Sequence, residues 1–130
     1  MNNDYLYYTF AQNNSGGSYD YNENYGEFTI IAAKSVEEAN AIAEKLGIYF
    51  DGCEKGLDCE CCGDRWFRVE SYDAASAPQI YDQSVADYLI DRPDTRVVIH
   101  YPGARPVGIW GCGDNSNRLM ALIDLHERIR

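Results

Sequence analysis

The sequence predicts an α+β fold in which a mainly antiparallel sheet is covered by two or three helices in a two-layer arrangement. Two runs rich in aromatic and β-branched residues, 5–12 and 27–33, have the composition of strands. A helix with clear start and stop signals follows them, and two further strands are separated by a Pro-Gly turn. A length of 130 residues predicts a single domain spanning residues 1–130.

The clearest element is the helix between residues 35 and 47. Ser35 is a suitable N-cap, and Glu38 three residues later completes a capping-box pattern. Gly47 can adopt the left-handed backbone conformation that commonly ends a helix. Apolar residues recur at helical spacing on one side of this segment: Val36, Ala39, Ile42, Ala43 and Leu46. The pattern therefore predicts an amphipathic helix.

The middle of the chain is less regular. Residues 48–50 and 65–71 predict short strands that enter and leave a cysteine-rich loop. Residues 72–83 have no periodic pattern and are expected to be irregular. A short helix is predicted to begin at Ser84 and to end before Pro93, because proline cannot continue a helix.

The C-terminal part of the sequence predicts a hairpin and a last helix. Residues 96–101 and 106–110 have strand composition and are joined by the turn sequence PGAR. After them, the sequence GCGDN interrupts the strand pattern. Asp114 or Asn115 can cap a helix that extends toward the C-terminus.

The net charge restricts the classes of partner. A formal charge of −10 makes polymeric nucleic acid and anionic membranes poor partners. No apolar run approaches the ~20 residues that span a bilayer, and the N-terminal residues lack a signal-peptide pattern. We therefore expect a cytosolic protein with reduced thiols, and its five cysteines, an odd number, do not indicate a disulfide framework.

The cationic residues are unevenly distributed along the chain. Residues 1–63 hold three Lys and no Arg, whereas residues 64–130 hold eight Arg and no Lys. The planar guanidinium binds phosphate or carboxylate bidentately, which the Lys ammonium cannot do. An all-Arg set in an acidic protein favours a few local anion contacts, although arginines in surface ion pairs remain the alternative for each one.

The cysteine-rich stretch DGCEKGLDCECCGDRW raises the possibility of a metal site. Its spacing C-x5-C-x-C-C lacks the paired knuckles of structural zinc sites, and no histidine is near. Thiol redox chemistry and a Cys-His nucleophile are weaker alternatives still. Buried, reduced thiols are the favoured interpretation, so no metal or cofactor is predicted. The weak metal candidates are Cys53, Cys59, Cys61 and Cys62.

A small-molecule site is the better-supported interpretation. The NNSGGS loop provides glycine amides that can approach an anion, and many tyrosines surround it in sequence. Aromatic faces stack on nucleobases, and arginines bind phosphate. Trp110 and the tyrosines near the N-terminus add to this aromatic content. The predicted ligand-binding residues are Tyr8, Asn13, Asn14, Ser15, Gly16, Arg65, Trp66, Arg105, Asn117 and Arg118.

Three motifs, FAQNNSGGSY, ANAIAEKLGIYFDGC and DCECCGDRW, give the chain a resemblance to a family of small proteins encoded by tailed bacteriophages. The resemblance covers residues 7 to about 110. It implies a phage accessory protein in the cytoplasm of an infected bacterium, and it supplies no catalytic residues. Small phage proteins of this size often counter host defence, for example by sequestering cyclic nucleotide or cyclic ADP-ribose signals.

Together these observations predict a non-enzymatic protein that binds and sequesters a nucleotide-derived defence signal, as a homo-oligomer. One alternative is an acidic protein that inhibits a host protein, for example by mimicking DNA charge. The other is an enzyme that degrades the signal, for which His100 with Asp64 is the best available acid-base pair.

Overall fold

The computed structural model describes residues 5–14 and 18–110, and these residues confirm the α+β class. The described chain contains a four-stranded sheet, a two-stranded sheet and two α-helices. In chain order the elements are β1 (Leu6–Ala11), β2 (Phe28–Ala33), α1 (Val36–Leu46), β3 (Gln79–Ile80), β4 (Gln83–Ser84), α2 (Val85–Asp91), β5 (Arg96–His100) and β6 (Val107–Trp110).

The main sheet has the strand order β1-β2-β5-β6. The β1–β2 and β5–β6 pairs are antiparallel, as predicted, and the central β2–β5 pair is parallel. A parallel neighbour requires a long crossover connection. Here the whole segment from α1 to α2 forms that crossover, so both helices pack beside the sheet.

The main sheet packs against a helix on each face, α1 in one core and α2 in the other. All six residues of β2 are buried. Because successive strand side chains point to opposite faces, alternate residues of β2 enter two separate cores. One core contains Phe28, Ile30 and Ala32 with residues of α2, and the other contains Ile31 and Ala33 with residues of α1. The run FTIIAA, which is apolar except for Thr29, is typical of such a strand.

Both predicted helix starts are confirmed. The Ser35 hydroxyl accepts the Glu38 amide hydrogen at 3.1 Å, and the Glu38 carboxylate accepts from the Lys34 amide at 2.7 Å. Gly47 ends α1 with a φ of 108°, a conformation that favours glycine. Ser84 caps α2 by accepting the Asp87 amide hydrogen at 3.1 Å. In the described part of the chain, neither helix is long and apolar enough to cross a membrane.

The strands predicted at 48–50 and 65–71 are not present. Ile48, Phe50, Trp66 and Val69 are buried, so their apolar character reflects burial and not sheet pairing. The Val69 backbone instead exchanges two hydrogen bonds with the side-chain amide of Asn40, at 3.0 and 3.1 Å.

The segment expected to be irregular, 72–83, overlaps a 3₁₀ turn at Ser71–Asp73 and contains β3 and the start of β4. The predicted last helix lies outside the described residues.

Candidate functional site

Arg65, one of the residues predicted to bind a ligand, is instead surrounded by acceptors of its own chain. Its side chain is 10% exposed. Its Nη1 donates to Gln12 Oε1 at 3.1 Å and to the Ser18 carbonyl at 2.7 Å. Its Nε lies 3.4 Å from the Asp20 carboxylate and 4.0 Å from that of Asp58. This buried guanidinium therefore holds the 18–20 segment against the cysteine-rich loop.

The Asp58 carboxylate completes this buried polar cluster. Its side chain is 2% exposed and accepts hydrogen bonds from the Tyr49 hydroxyl at 2.7 Å and the Arg65 amide at 2.8 Å. Burial, together with the hydrogen bond to Asp58, raises the pKa of Tyr49 to about 12. The cluster is hydrogen-bonded internally, as buried charges generally must be.

Trp66 and Tyr8 lie in the core that contains α1, with side chains 1% and 3% exposed. Trp66 meets the Tyr25 ring edge to face, at a centroid distance of 5.6 Å. Neither Trp66 nor Tyr8 presents an aromatic face to solvent, which corrects the expectation that they stack on a ligand. Their size made them prominent in the sequence, and that size serves to fill the core.

The remaining predicted residues are dispersed. Asn13 donates to the carbonyls of Cys62 and Asp64, at 2.8 and 3.1 Å, so its amide is bonded to the cysteine-rich loop. Asn14 is exposed, and Arg105 is exposed in the turn between β5 and β6. Ser15, Gly16, Asn117 and Arg118 lie outside the described residues.

A groove of about 440 Å³ lies beside β5 and β6. Arg96 pairs with Trp110 across these strands, and Val98 pairs with Gly108. Strand alternation places all four on one face of the sheet. Tyr21, Tyr25 and Gly26, from the loop before β2, also line this cavity. We call this site the β5–β6 groove.

Arg96 gives the groove a positive charge beside two aromatic rings. Its guanidinium carbon lies 4.8 Å from the centroid of the Tyr21 ring and 4.7 Å from that of Trp110. These distances are typical of cation–π contacts. Tyr21 is 41% exposed and Trp110 is 39% exposed. No carboxylate among the described residues forms an ion pair with Arg96, and Arg96 is an exposed residue.

The loop that brings Tyr21 to the groove is anchored at several points. Gln12 Nε2 donates to the carbonyls of Asp20 and Gly26, at 2.7 and 2.8 Å. Gly26 passes so close to β5 that an added Cβ would lie 2.7 Å from the Arg96 carbonyl oxygen. This close approach requires glycine, and it fixes one side of the groove against the sheet.

A family model described as a domain of unknown function, DUF7296, matches residues 5–118. The chain belongs to the DUF7296 family. The matched range includes the cysteine-rich loop and the β5–β6 groove of this DUF7296 domain. No curated protein and no solved structure matches the chain.

The structure of the DUF7296 chain does not bring together the acid-base pair considered for an enzyme. Nε2 of His100 lies 2.7 Å from the Asn24 carbonyl oxygen. The Asp64 carboxylate instead accepts the Cys53 amide hydrogen at 2.9 Å. Burial lowers the pKa of His100, partly offset by its bond to Asn24. His100 thus ties the loop containing Tyr21 to β5 and supports the groove.

The cysteines of the DUF7296 domain are more exposed than expected. Cys59, Cys61 and Cys62 are exposed and Cys53 is partly exposed, and all four are free thiols. The expectation of buried thiols is therefore wrong for these residues. Their sulfur atoms approach closely, with Sγ–Sγ distances of 2.7 Å for Cys59–Cys61 and 3.8 Å for Cys61–Cys62.

Sequence reasoning did not single out Arg96, which is the central residue of the groove. One available signal was strand alternation, which places Arg96 and Val98 on one face of the predicted strand 96–101. A second signal was Gly108 in the facing strand, because a glycine inside a strand often marks a place where another group approaches. Both signals require the pairing register, which the sequence did not provide.

Proposed function

We propose that the protein binds a nucleotide-derived host defence signal, of the cyclic oligonucleotide or cyclic ADP-ribose type, in the β5–β6 groove. By sequestering the signal it counteracts bacterial immunity. The observation that carries the proposal is that the guanidinium of the exposed residue Arg96 lies over the rings of both Tyr21 and Trp110. Such a ligand offers phosphates for the guanidinium and planar bases for the aromatic faces.

The size and charge of the groove support this class of ligand. Small-molecule sites commonly enclose about 300–1,000 Å³, and the groove is within that range. With a net charge of −10, the protein as a whole repels anions, so binding must depend on local cation contacts. Stacking on an aromatic side chain contributes about 1–3 kcal/mol per base.

Sequestration is favoured over degradation by the chemistry of the lining. The described lining residues include no Asp, Glu, His or Cys, which are the usual general acids, bases and metal ligands. The resemblance to phage proteins supplies the biological context, a bacterial cytoplasm in which defence signals are produced. We expect the binding-competent form to be a homo-oligomer.

Isothermal calorimetry against a panel of cyclic di- and trinucleotides and cyclic ADP-ribose isomers tests the proposal. We expect saturable binding of at least one compound, and recovery of the intact compound after the complex is denatured. Native mass spectrometry gives the number of chains and ligands in the complex. If no compound in the panel binds, the proposal is wrong, and if the bound compound is converted, the protein is an enzyme.

The variant Gly108→Leu tests whether the groove is the site. An added Cβ at Gly108 meets no described atom within 4 Å, so leucine can be placed on the strand and fills the groove. We expect at least about tenfold weaker binding, the equivalent of about 1.4 kcal/mol. Arg105→Ala, in the turn outside the groove, is the control and should bind normally.

The same experiment distinguishes the nucleotide proposal from the alternative of an acidic protein that inhibits a host protein. An interface formed by acidic residues would bind a host protein with a steep dependence on salt. It would also be insensitive to Gly108→Leu, because the contact surface would lie outside the groove. That pair of results would contradict the nucleotide proposal.

A further inference from the structure

Three cysteine thiols are gathered on one side of a single turn. The sulfur atoms of Cys59, Cys61 and Cys62 all lie within 4.8 Å of one another. The turn is closed by hydrogen bonds from the Cys62 and Gly63 amides to the Cys59 carbonyl, at 3.1 and 3.0 Å. Gly63 has a φ of 89°, which permits this reversal. This backbone therefore allows the thiols of the adjacent residues Cys61 and Cys62 to lie close to each other and to that of Cys59.

Hydrogen bonds outside the cluster of three thiols help to hold the loop in place. The Asn13 side chain binds the Cys62 carbonyl, and the Asp64 carboxylate accepts the Cys53 amide hydrogen. The buried Asp58 carboxylate fixes the Arg65 amide at the end of the loop. These bonds fold the loop around an exposed group of sulfurs, which remains accessible from solvent.

We propose that Cys59, Cys61 and Cys62 form a binding site for a thiophilic d¹⁰ metal ion, Zn²⁺ or Cu⁺, with three thiolate ligands. Thiolates select soft and borderline ions of this kind over Mg²⁺ or Ca²⁺. Three protein ligands leave a fourth position on tetrahedral Zn²⁺ for water or an external ligand. Each thiol that binds gives up its proton to solvent, and no electron transfer is involved.

One of the sulfur–sulfur distances matches that of a metal complex, and a second requires a small adjustment. Two sulfurs on one tetrahedral zinc, with Zn–S bonds of about 2.3 Å, lie about 3.8 Å apart. The Cys61–Cys62 distance of 3.8 Å already has this value. Cys59 and Cys61, at 2.7 Å, would need to separate by about 1 Å, which two exposed side chains can do by rotation.

The pKa values of two of the clustered thiols are shifted in opposite directions. Hydrogen bonds from the Cys61 thiol and from backbone amides lower the pKa of Cys59. The hydrogen bonds that Cys61 makes with Cys59 and Cys62 raise the pKa of Cys61 to about 11. A cation between the sulfurs would remove the repulsion between neighbouring thiolates.

Titration of the reduced 130-residue chain tests the site, with Zn²⁺, Co²⁺ and Cu⁺ added separately under anaerobic conditions. We expect one ion per chain, and sulfur-to-cobalt charge-transfer bands for the Co²⁺ form. Cys61→Ser should weaken binding by at least about 100-fold, because even changes outside the ligand shell cost 10–100-fold. Zn²⁺ and Cu⁺ are distinguished by competition with chelators selective for each.

The matched control replaces Cys53 and Cys112 with serine, so that only the three clustered thiols remain. This double variant should keep one ion per chain. Loss of binding in the double variant, or unchanged binding in Cys61→Ser, would overturn the proposal, as would the absence of stoichiometric binding in the unmodified protein. Circular dichroism of the metal-free variants checks that the fold is retained. The result is independent of the nucleotide proposal, because neither Cys61 nor Cys53 lines the groove.

Discussion

Two arginines of this protein have similar aromatic neighbours and opposite surroundings. Arg65 is next to Trp66 and is buried among acceptors of its own chain. Arg96 is an exposed residue whose guanidinium lies over the rings of Tyr21 and Trp110. The combination of arginine and aromatic residues therefore does not identify a binding site by itself. What distinguishes the two is whether the protein already supplies the hydrogen-bond acceptors.

The two arginines are connected through one short loop. Asp20 lies 3.4 Å from the Nε of Arg65, and the next residue, Tyr21, stacks on Arg96. Tyr25 in the same loop contacts Trp66 and also lines the groove. Arg65 thus helps to position the loop that carries Tyr21 to Arg96. A change at Arg65 should therefore affect both the buried polar cluster and the β5–β6 groove.

The largest expected effect is that of Arg65→Met. Removing one partner of a buried charge cluster costs about 3–5 kcal/mol, because Asp58 is left buried without its counter-ion. Urea unfolding followed by circular dichroism measures the loss. Arg68→Met is the control, since Arg68 pairs with Asp51 at the surface and should change stability by less than about 1 kcal/mol. Equal losses of stability in the two variants would show that burial does not distinguish these two arginines.

Arg96→Met should have the opposite effect, with little loss of stability and a clear loss of ligand affinity. Its effect on the free energy of unfolding should stay below about 1 kcal/mol, as for most exposed side chains. Ligand affinity should fall by about 10- to 100-fold, because a hydrogen bond to a charged group contributes about 1.5–3 kcal/mol. Calorimetry with the compound found in the panel measures this. Arg92→Met, which removes a guanidinium stacked on Tyr88 outside the groove, should leave affinity unchanged.

The smallest effect concerns the pH dependence of stability. The folded state favours neutral His100, so its pKa lies below the ordinary 6.5. The unfolded chain therefore takes up the proton first, and stability declines as the pH falls below 6.5. His100→Gln should show a weaker decline between pH 7 and 5.5 in urea titrations. An identical decline in both proteins would show that His100 does not contribute.

Local signals were sufficient for the elements that local residues determine. Ser35 and Gly47 correctly delimit α1, and Ser84 correctly starts α2, because caps act within one helical turn. The β5–β6 hairpin was also predictable, since its two strands are close in sequence. The parallel pairing of Phe28 with Val97 joins distant segments, and no local pattern specifies it.

The candidate site was harder to predict for the same reason. Arg65 and Trp66 were prominent in sequence, but their burial depends on Gln12 and Tyr25, which are distant along the chain. Arg96 resembled an ordinary strand residue until the register placed Trp110 beside it. Side-chain chemistry could be read from the sequence, whereas its exposure depended on long-range packing.

The parallel pairing of β2 with β5 also has a consequence for the order of folding. Contacts between segments far apart in sequence form slowly, because a long loop must close first. The groove is built from the loop before β2 and from strands β5 and β6, so it requires this pairing. We expect a chain still emerging from the ribosome to have no groove until β5 and β6 have been synthesised. Capture of a small molecule would then begin only when the sheet is complete.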